Sequence, residues 1–275
     1  DTDAEGNLYV AGKFADEILV CDVTENQTSL VSSNSDSQTA AFIAKYSATG
    51  TLIAAQACEA TVDATVNDSF MYFGYPAEIS INNIQVEGDA LYVSFTYNGD
   101  VTLGGFSLDA KYLFNSMGFG DYLDTTSGAV IALNNTTLAP SALIVNASVK
   151  EDNASVSRGI NDINFTVEDG NAYVSVVGFG DLTIQTANSS QDVTFAMDGM
   201  GTNEYGMIIA KVGAIEAVKV YNNVSTSLSV TSYNKVENME VIGDNLYITG
   251  TFRGYCPLDN TLSTLDGDAE KSTSD

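Results

Sequence analysis

Apolar and polar residues alternate along this chain in short runs, and clusters of Gly, Asp, Asn and Ser separate the runs. Ile81-Asn82-Asn83-Ile84-Gln85-Val86 and Val236-Glu237-Asn238-Met239-Glu240-Val241 are examples. A period of two marks strands with one face toward a core, and the breakers mark turns. No stretch sustains the 3.6-residue period of an amphipathic helix, so almost no helix is expected anywhere.

The runs recur. Leu8-Tyr9-Val10 returns as Leu91-Tyr92-Val93, Ala172-Tyr173-Val174 and Leu246-Tyr247-Ile248, with tyrosines 83, 81 and 74 residues apart. Fixed-period self-similarity means that one supersecondary unit is copied, and that neighbouring copies bury each other's apolar faces. Ahead of the tyrosine lies a strand A: Ile81 to Val86, Ile160 to Phe165 and Val236 to Val241. Turns follow at Gly88-Asp89, Asp169-Gly170-Asn171 and Gly243-Asp244-Asn245, residue types that accept positive φ in tight hairpins. Strand B carries the tyrosine and runs into a glycine-punctuated extension such as Gly99-Asp100-Val101-Thr102-Leu103-Gly104-Gly105. Strand C is read at Ala41 to Tyr46, Ala129 to Leu133 and Met207 to Val212, and strand D at Thr51 to Gln56, Ser141 to Val145 and Ala217 to Tyr221.

Four short antiparallel strands per unit, in tandem, predict an all-β fold of β-propeller blades rather than a sandwich or β-helix. The whole chain, 1–275, reads as one repeat region with units at about 1–60, 76–150, 159–225 and 233–275. The first and last units read as incomplete, which leads to the expectation of a fragment of a larger ring. The long B-to-C connections exceed the roughly 40–50-residue period of common blades and should decorate one rim.

Net charge narrows the partners. With Lys+Arg 10 against Asp+Glu 36 the chain carries −26, so no basic patch exists to displace counterions from nucleic acid. No run approaches the ~20 apolar residues of a membrane-spanning helix. Histidine is absent, which removes the commonest general base and the usual zinc sets. Cys21, Cys58 and Cys256 lack metal-ligand spacing. Cys21 and Cys58 either pair in an oxidising compartment or remain free thiols. Paired carboxylates of a glycoside hydrolase or lyase are the alternative function, but 36 acidic residues single out no pair.

Asp3-Ala4-Glu5-Gly6-Asn7-Leu8-Tyr9-Val10-Ala11-Gly12, followed by Phe42-Ile43-Ala44-Lys45-Tyr46-Ser47-Ala48-Thr49-Gly50, resembles the tandem SBBP repeats of bacterial secreted β-propellers. Gly99 to Gly105 matches their glycine-flanked extension; Lys45 and Lys211 fit their strand C, and Leu133 stands in for that lysine in the second copy. The resemblance spans the chain degenerately. It implies a bacterial exported or outer-membrane-surface scaffold of lipoprotein type, and carries no catalytic residues with it.

Two candidate sites follow. Asp1-Thr2-Asp3-Ala4-Glu5-Gly6 imitates the opening of a calcium loop, but Gly12 occupies the twelfth position where a bidentate Glu belongs, which favours a turn. The connections from Leu108 to Gly128 and from Asn188 to Gly206 combine aromatic residues, Tyr112, Phe119, Tyr122 and Tyr205 foremost, with acids such as Asp121, Asp124, Asp198 and Glu204. Rings beside carboxylates suit a glycan or protein partner at the cell surface, with a larger assembly a further possibility. The competing reading is that these rings cap the ends of their own units.

Overall fold

The computed structural model describes residues 1–32, 39–61, 77–109, 111–114, 122–149, 159–179, 182–186, 193–195, 205–212, 219–222 and 233–253. All regular structure in them is β. Among the described residues no helix is long and apolar enough to cross a membrane.

By recurring register the strands can be grouped into four units, and eleven of the strands join in one mixed sheet that runs from the first unit through the second into the third. The first holds β1 (Leu8–Ala15), the hairpin β2 (Glu17–Cys21) and β3 (Gln27–Val31), β4 (Thr39–Tyr46) and β5 (Leu52–Thr61). The second holds β6 (Glu78–Glu87), β7 (Ala90–Asn98), β8 (Asp100–Leu103), β9 (Phe106–Leu108), β10 (Lys111–Phe114), β11 (Tyr122–Thr125), β12 (Ser127–Asn134) and β13 (Pro140–Val149). The third holds β14 (Ile160–Glu168), β15 (Asn171–Phe179), β16 (Leu182–Thr186), β17 (Val193–Phe195), β18 (Tyr205–Lys211) and β19 (Lys219–Asn222). The fourth is β20 (Tyr233–Ile242) and β21 (Asn245–Arg253).

Each unit is an antiparallel meander. The second runs β6-β7-β12-β13, the third β14-β15-β18-β19, the first β1-β4-β5 and the fourth β20-β21. The A-to-B turns use positive φ as their composition predicts, at Gly88, Asp169, Gly170 and Gly243. Between units one parallel contact occurs, Thr39 with Glu78.

The four tyrosines stand at one position. Tyr92, Tyr173 and Tyr247 pair with Gln85, Thr166 and Glu240 of strand A, and Tyr9, Tyr92 and Tyr173 pair with Lys45, Ala132 and Lys211 of strand C. This register corrects two alignments drawn from the sequence. The second unit's counterpart of Lys45 is Ala132, not Leu133, which lies opposite Leu91. Strand A of the third unit is offset by two residues, so Asn164, not Asp162, matches Asn83 and Asn238. The cause is a moved β-bulge: it lies between Ile81 and Asn83 and between Val236 and Asn238, but between Ile160 and Asp162 in the third unit. A bulge inserts one residue without disturbing the apolar alternation beyond it, so the sequence pattern does not reveal where it lies.

The core lies between units. Tyr9, Ala41 and Ile43 of the first pack with Leu91, Val93, Phe95 and Leu133 of the second. Tyr92, Val130 and Val145 of the second pack with Phe165, Val174, Val176 and Ala210 of the third. Tyr173, Met207 and Ile209 of the third pack with Val236, Leu246 and Ile248 of the fourth. Every meander therefore has a forward face, holding the tyrosine, and a backward face, holding the residue before it. Fully burying one Leu, Val or Phe there contributes roughly 1.5–3 kcal/mol.

The glycine-punctuated extensions are not continuations of strand B. In the second and third units the extension forms a hairpin that pairs with the last strand of the preceding unit: β8 with β5, and β16 with β13. Gly99 makes the first of these possible, since a Cβ there would meet the Thr61 carbonyl oxygen at 2.7 Å, at a φ of +84°.

Candidate functional site

The predicted rim residues divide. Tyr112 lies on β10 across from Asp124, and Tyr122 on β11 across from Phe114. Tyr205 opens β18 across from Phe179. Phe119 lies outside the described residues, as do Asp121, Asp198 and Glu204. The hairpin β10–β11 forms a two-stranded sheet of its own, and among the described residues it pairs with no other strand. It is thus the part of the second unit's connection left over once β8–β9 has latched onto the first unit. In the third unit, β17 (Val193–Phe195), inside the segment read as a binding insert, belongs instead to the latch with β16.

A polar site that the sequence reading did not single out lies where the first unit meets the second. Asp3 Oδ1 accepts from the Asn7 backbone N–H at 2.8 Å, and Oδ2 accepts from Asn7 Nδ2 at 2.8 Å and lies 3.1 Å from the Tyr9 hydroxyl. Lys45 Nζ stands 3.4 Å from Asp3 Oδ2, donates to the Asn135 carbonyl at 3.0 Å, and sits 4.9 Å from the centre of the Tyr9 ring. The side chains of Asp3 and Lys45 are only 5% and 7% exposed, so this is a buried ion pair with its remaining valences satisfied. Burial opposes the Asp3 charge, but hydrogen bonds from Asn7 and Tyr9 and the Lys45 charge outweigh it and hold the carboxyl at about 2. Burial likewise opposes the Lys45 charge, and Tyr9 and Asp3 outweigh it, so Lys45 is held above its ordinary value. The third unit repeats the cation over the ring, Lys211 at 5.5 Å from Tyr173. The second, with Ala132 there, sets Tyr92 against Phe165 instead.

This geometry assigns Asp3 to a turn and an ion pair, with both oxygens engaged. Asp1 is engaged as well: Oδ1 accepts from Thr2 N at 2.8 Å and Oδ2 from Val86 N at 2.7 Å. Among the described residues no group of three or more His, Cys, Asp or Glu is placed to hold a metal ion. Asp22 acts as a second turn carboxylate, accepting from Thr24, Asn26 and the Leu52 N–H, and these bonds hold its carboxyl well below the usual range.

Amides connect the later units. Asn83 Nδ2 donates to Asn164 Oδ1 at 3.0 Å, and Asn164 Nδ2 donates to the Val236 carbonyl at 3.1 Å. Gln85 exchanges two bonds with the Val167 backbone, donating at 2.7 Å and accepting at 3.0 Å. Strand A of each unit thus has its backbone edge served by side chains of the unit before. Asp162 joins this set through Asn82 Nδ2 at 2.8 Å and Val236 N at 3.3 Å; burial pushes its carboxyl up, only partly offset by those bonds.

Both described cysteines are free thiols. Cys58 is buried, which pushes it up to about 12, and Cys21 is exposed. No protein-family model, curated protein or solved structure matches the chain.

Proposed function

We propose that this chain is a non-catalytic scaffold of β-propeller type, akin to the secreted bacterial SBBP repeats. It would act outside the cell or at the outer-membrane surface and bind a protein or glycan through its B-to-C connections, foremost the β10–β11 hairpin. One observation carries this reading: among the described residues β10–β11 pairs with no strand of the stacked units, while β8–β9 already performs the latching of that connection. Loops that a rigid scaffold does not need for its own packing are where such folds place recognition. Tyr112 and Tyr122 lie on the hairpin, each beside an acid in sequence or register, and rings combined with carboxylates in one segment are the residue types that suit a glycan or protein partner. The polar sites between units are consistent with this division of labour, because Asp3, Lys45, Asn164 and Asp162 all have their partners within the protein.

The test pairs Tyr112→Ala with Tyr122→Ala and reads binding on glycan and peptide arrays alongside thermal melting. Binding by the parent chain, lost in the double variant on an unchanged melting curve, supports the proposal. A lowered melting temperature in the variant, with no array ligand for the parent chain, assigns the hairpin to packing and removes the binding role.

A further inference from the structure

Two buried hydroxyls fall at one position of the repeat. Ser94 and Ser175 each stand two residues after the tyrosine of their unit, on its forward face, and both are 0% exposed. Among the described residues neither Oγ has a hydrogen-bond partner. Hydroxyls shut away from bulk solvent are bonded to protein or to ordered water, because going without either costs the full desolvation of the group. One orphaned hydroxyl is an isolated event; the same orphan at equivalent places in two units is a property of the repeat.

Each serine faces an asparagine across the strands. Asn83 is the register partner of Ser94, and Asn164 that of Ser175. Opposite residues share a face, with Cβ atoms about 4.5–5.5 Å apart, yet neither pair bonds directly because both amides reach forward. Asn83 Nδ2 donates to Asn164 Oδ1 and, at 3.3 Å, to the Phe165 carbonyl, while its Oδ1 accepts from none of the described residues. Asn164 Nδ2 donates to the Val236 carbonyl and, at a longer 3.4 Å, to the Glu237 carbonyl. The fourth unit repeats the residue types, with Asn238 opposite Thr249. The first unit has Ala11 at that position, and its boundary is closed by the Asp3–Lys45 pair instead.

We propose that the boundary between the second and third units and the boundary between the third and fourth each bind one ordered water molecule. The first water is held by Ser94 Oγ and Asn83 Oδ1, the second by Ser175 Oγ and the Glu237 carbonyl. A water bonded at about 2.8 Å on either side spans up to about 5.5 Å, which matches the separation of opposite residues in the ladder. Its partners are a hydroxyl, which donates and accepts, and an oxygen that only accepts, so the ligand must be able to donate to both. Water meets that need, and among the described residues no group of acids is placed to hold a metal ion there instead. The two waters complete a polar thread that runs from Asn83 through Asn164 to the Val236 and Glu237 carbonyls.

Oxygen-17 relaxation dispersion on the full chain counts its long-lived buried waters and tests this directly. Ser94→Ala and Ser175→Ala should each lower the count by one, and the double variant should lower it by two. In denaturant unfolding each single variant should reduce the folding equilibrium constant about tenfold, since the water's other partner loses its bond together with the hydroxyl. A hydroxyl with no water predicts the opposite sign, because its removal relieves a desolvated group and leaves the count as it was. An unchanged count overturns the proposal at that boundary, whatever the variant's stability. A high-resolution crystal structure of the parent chain gives a reading that does not depend on the variants folding. Water density within about 3.2 Å of each hydroxyl supports the proposal, and hydroxyls surrounded by carbon alone overturn it.

Discussion

The first and second units have the same strand order, the same tyrosine and the same hairpin, yet their backward faces end differently. Leu91 and Leu133 are sealed against the first unit, whereas Leu8 and Tyr46 meet an open depression. Position within the repeat therefore does not set what a residue contributes; the neighbour it meets does. The boundaries differ in chemistry too. The first is closed by a buried ion pair, Asp3 with Lys45, and the later ones by amides, Asn83 to Asn164 and Gln85 to Val167. The same strand arrangement accepts either, because each leaves the buried polar groups bonded.

The sharpest break of this comparison is Leu91→Ala against Leu8→Ala. By denaturant unfolding, the first should cost roughly 2–5 kcal/mol through a cavity in a packed boundary. The second, at a half-exposed site, should stay within about 0.5 kcal/mol. Equal losses would mean that the two faces are equivalent in solution.

Asn164→Ala comes next, at about 1–3 kcal/mol, because it removes one of the two acceptors of Asn83 Nδ2 and the side-chain donor to the Val236 carbonyl in a buried boundary. A double variant with Asn83→Ala should recover part of that loss, and its melting curve checks the coupling. Tyr9→Phe keeps the ring under Lys45 and removes one hydroxyl, for about 1 kcal/mol. The same change at exposed Tyr247 should be neutral.

Acid separates the boundaries by sign. The Asp3 carboxyl is depressed in the folded protein, so its stabilisation is present above its ordinary 3.8 and is lost as pH falls toward about 2. Asp162 is raised, so its charged form destabilises the fold, and this is relieved as pH falls toward 3.8. Asp3→Asn should therefore lower stability at neutral pH and flatten the acid loss, while Asp162→Asn should remove the relief and steepen it. Equilibrium unfolding from pH 7 to 2 reads both slopes, and parallel profiles would contradict the assignment.

The alternation of apolar residues, the recurring tyrosine and the Gly/Asp/Asn turns were enough to determine an all-β chain of repeated meanders, since a period of two and positive-φ residues are local properties that read directly from sequence. They also placed the strands within a few residues: strand D of the third unit, expected at Ala217 to Tyr221, is β19 at Lys219–Asn222. Tertiary structure alone decided the rest. The shifted bulge at Asn161, the match of Lys45 with Ala132, and the role of the glycine-flanked extension as a latch all depend on which strand lies alongside which. The Asp3–Tyr9–Lys45–Asn135 site joins residues up to 132 positions apart. Asp3, Tyr9 and Lys45 were visible in the repeat motif and Asn135 was not, and a motif shows only which residue types recur. That they meet, and that a neighbouring unit shuts them away from water, follows from how one meander packs against the next.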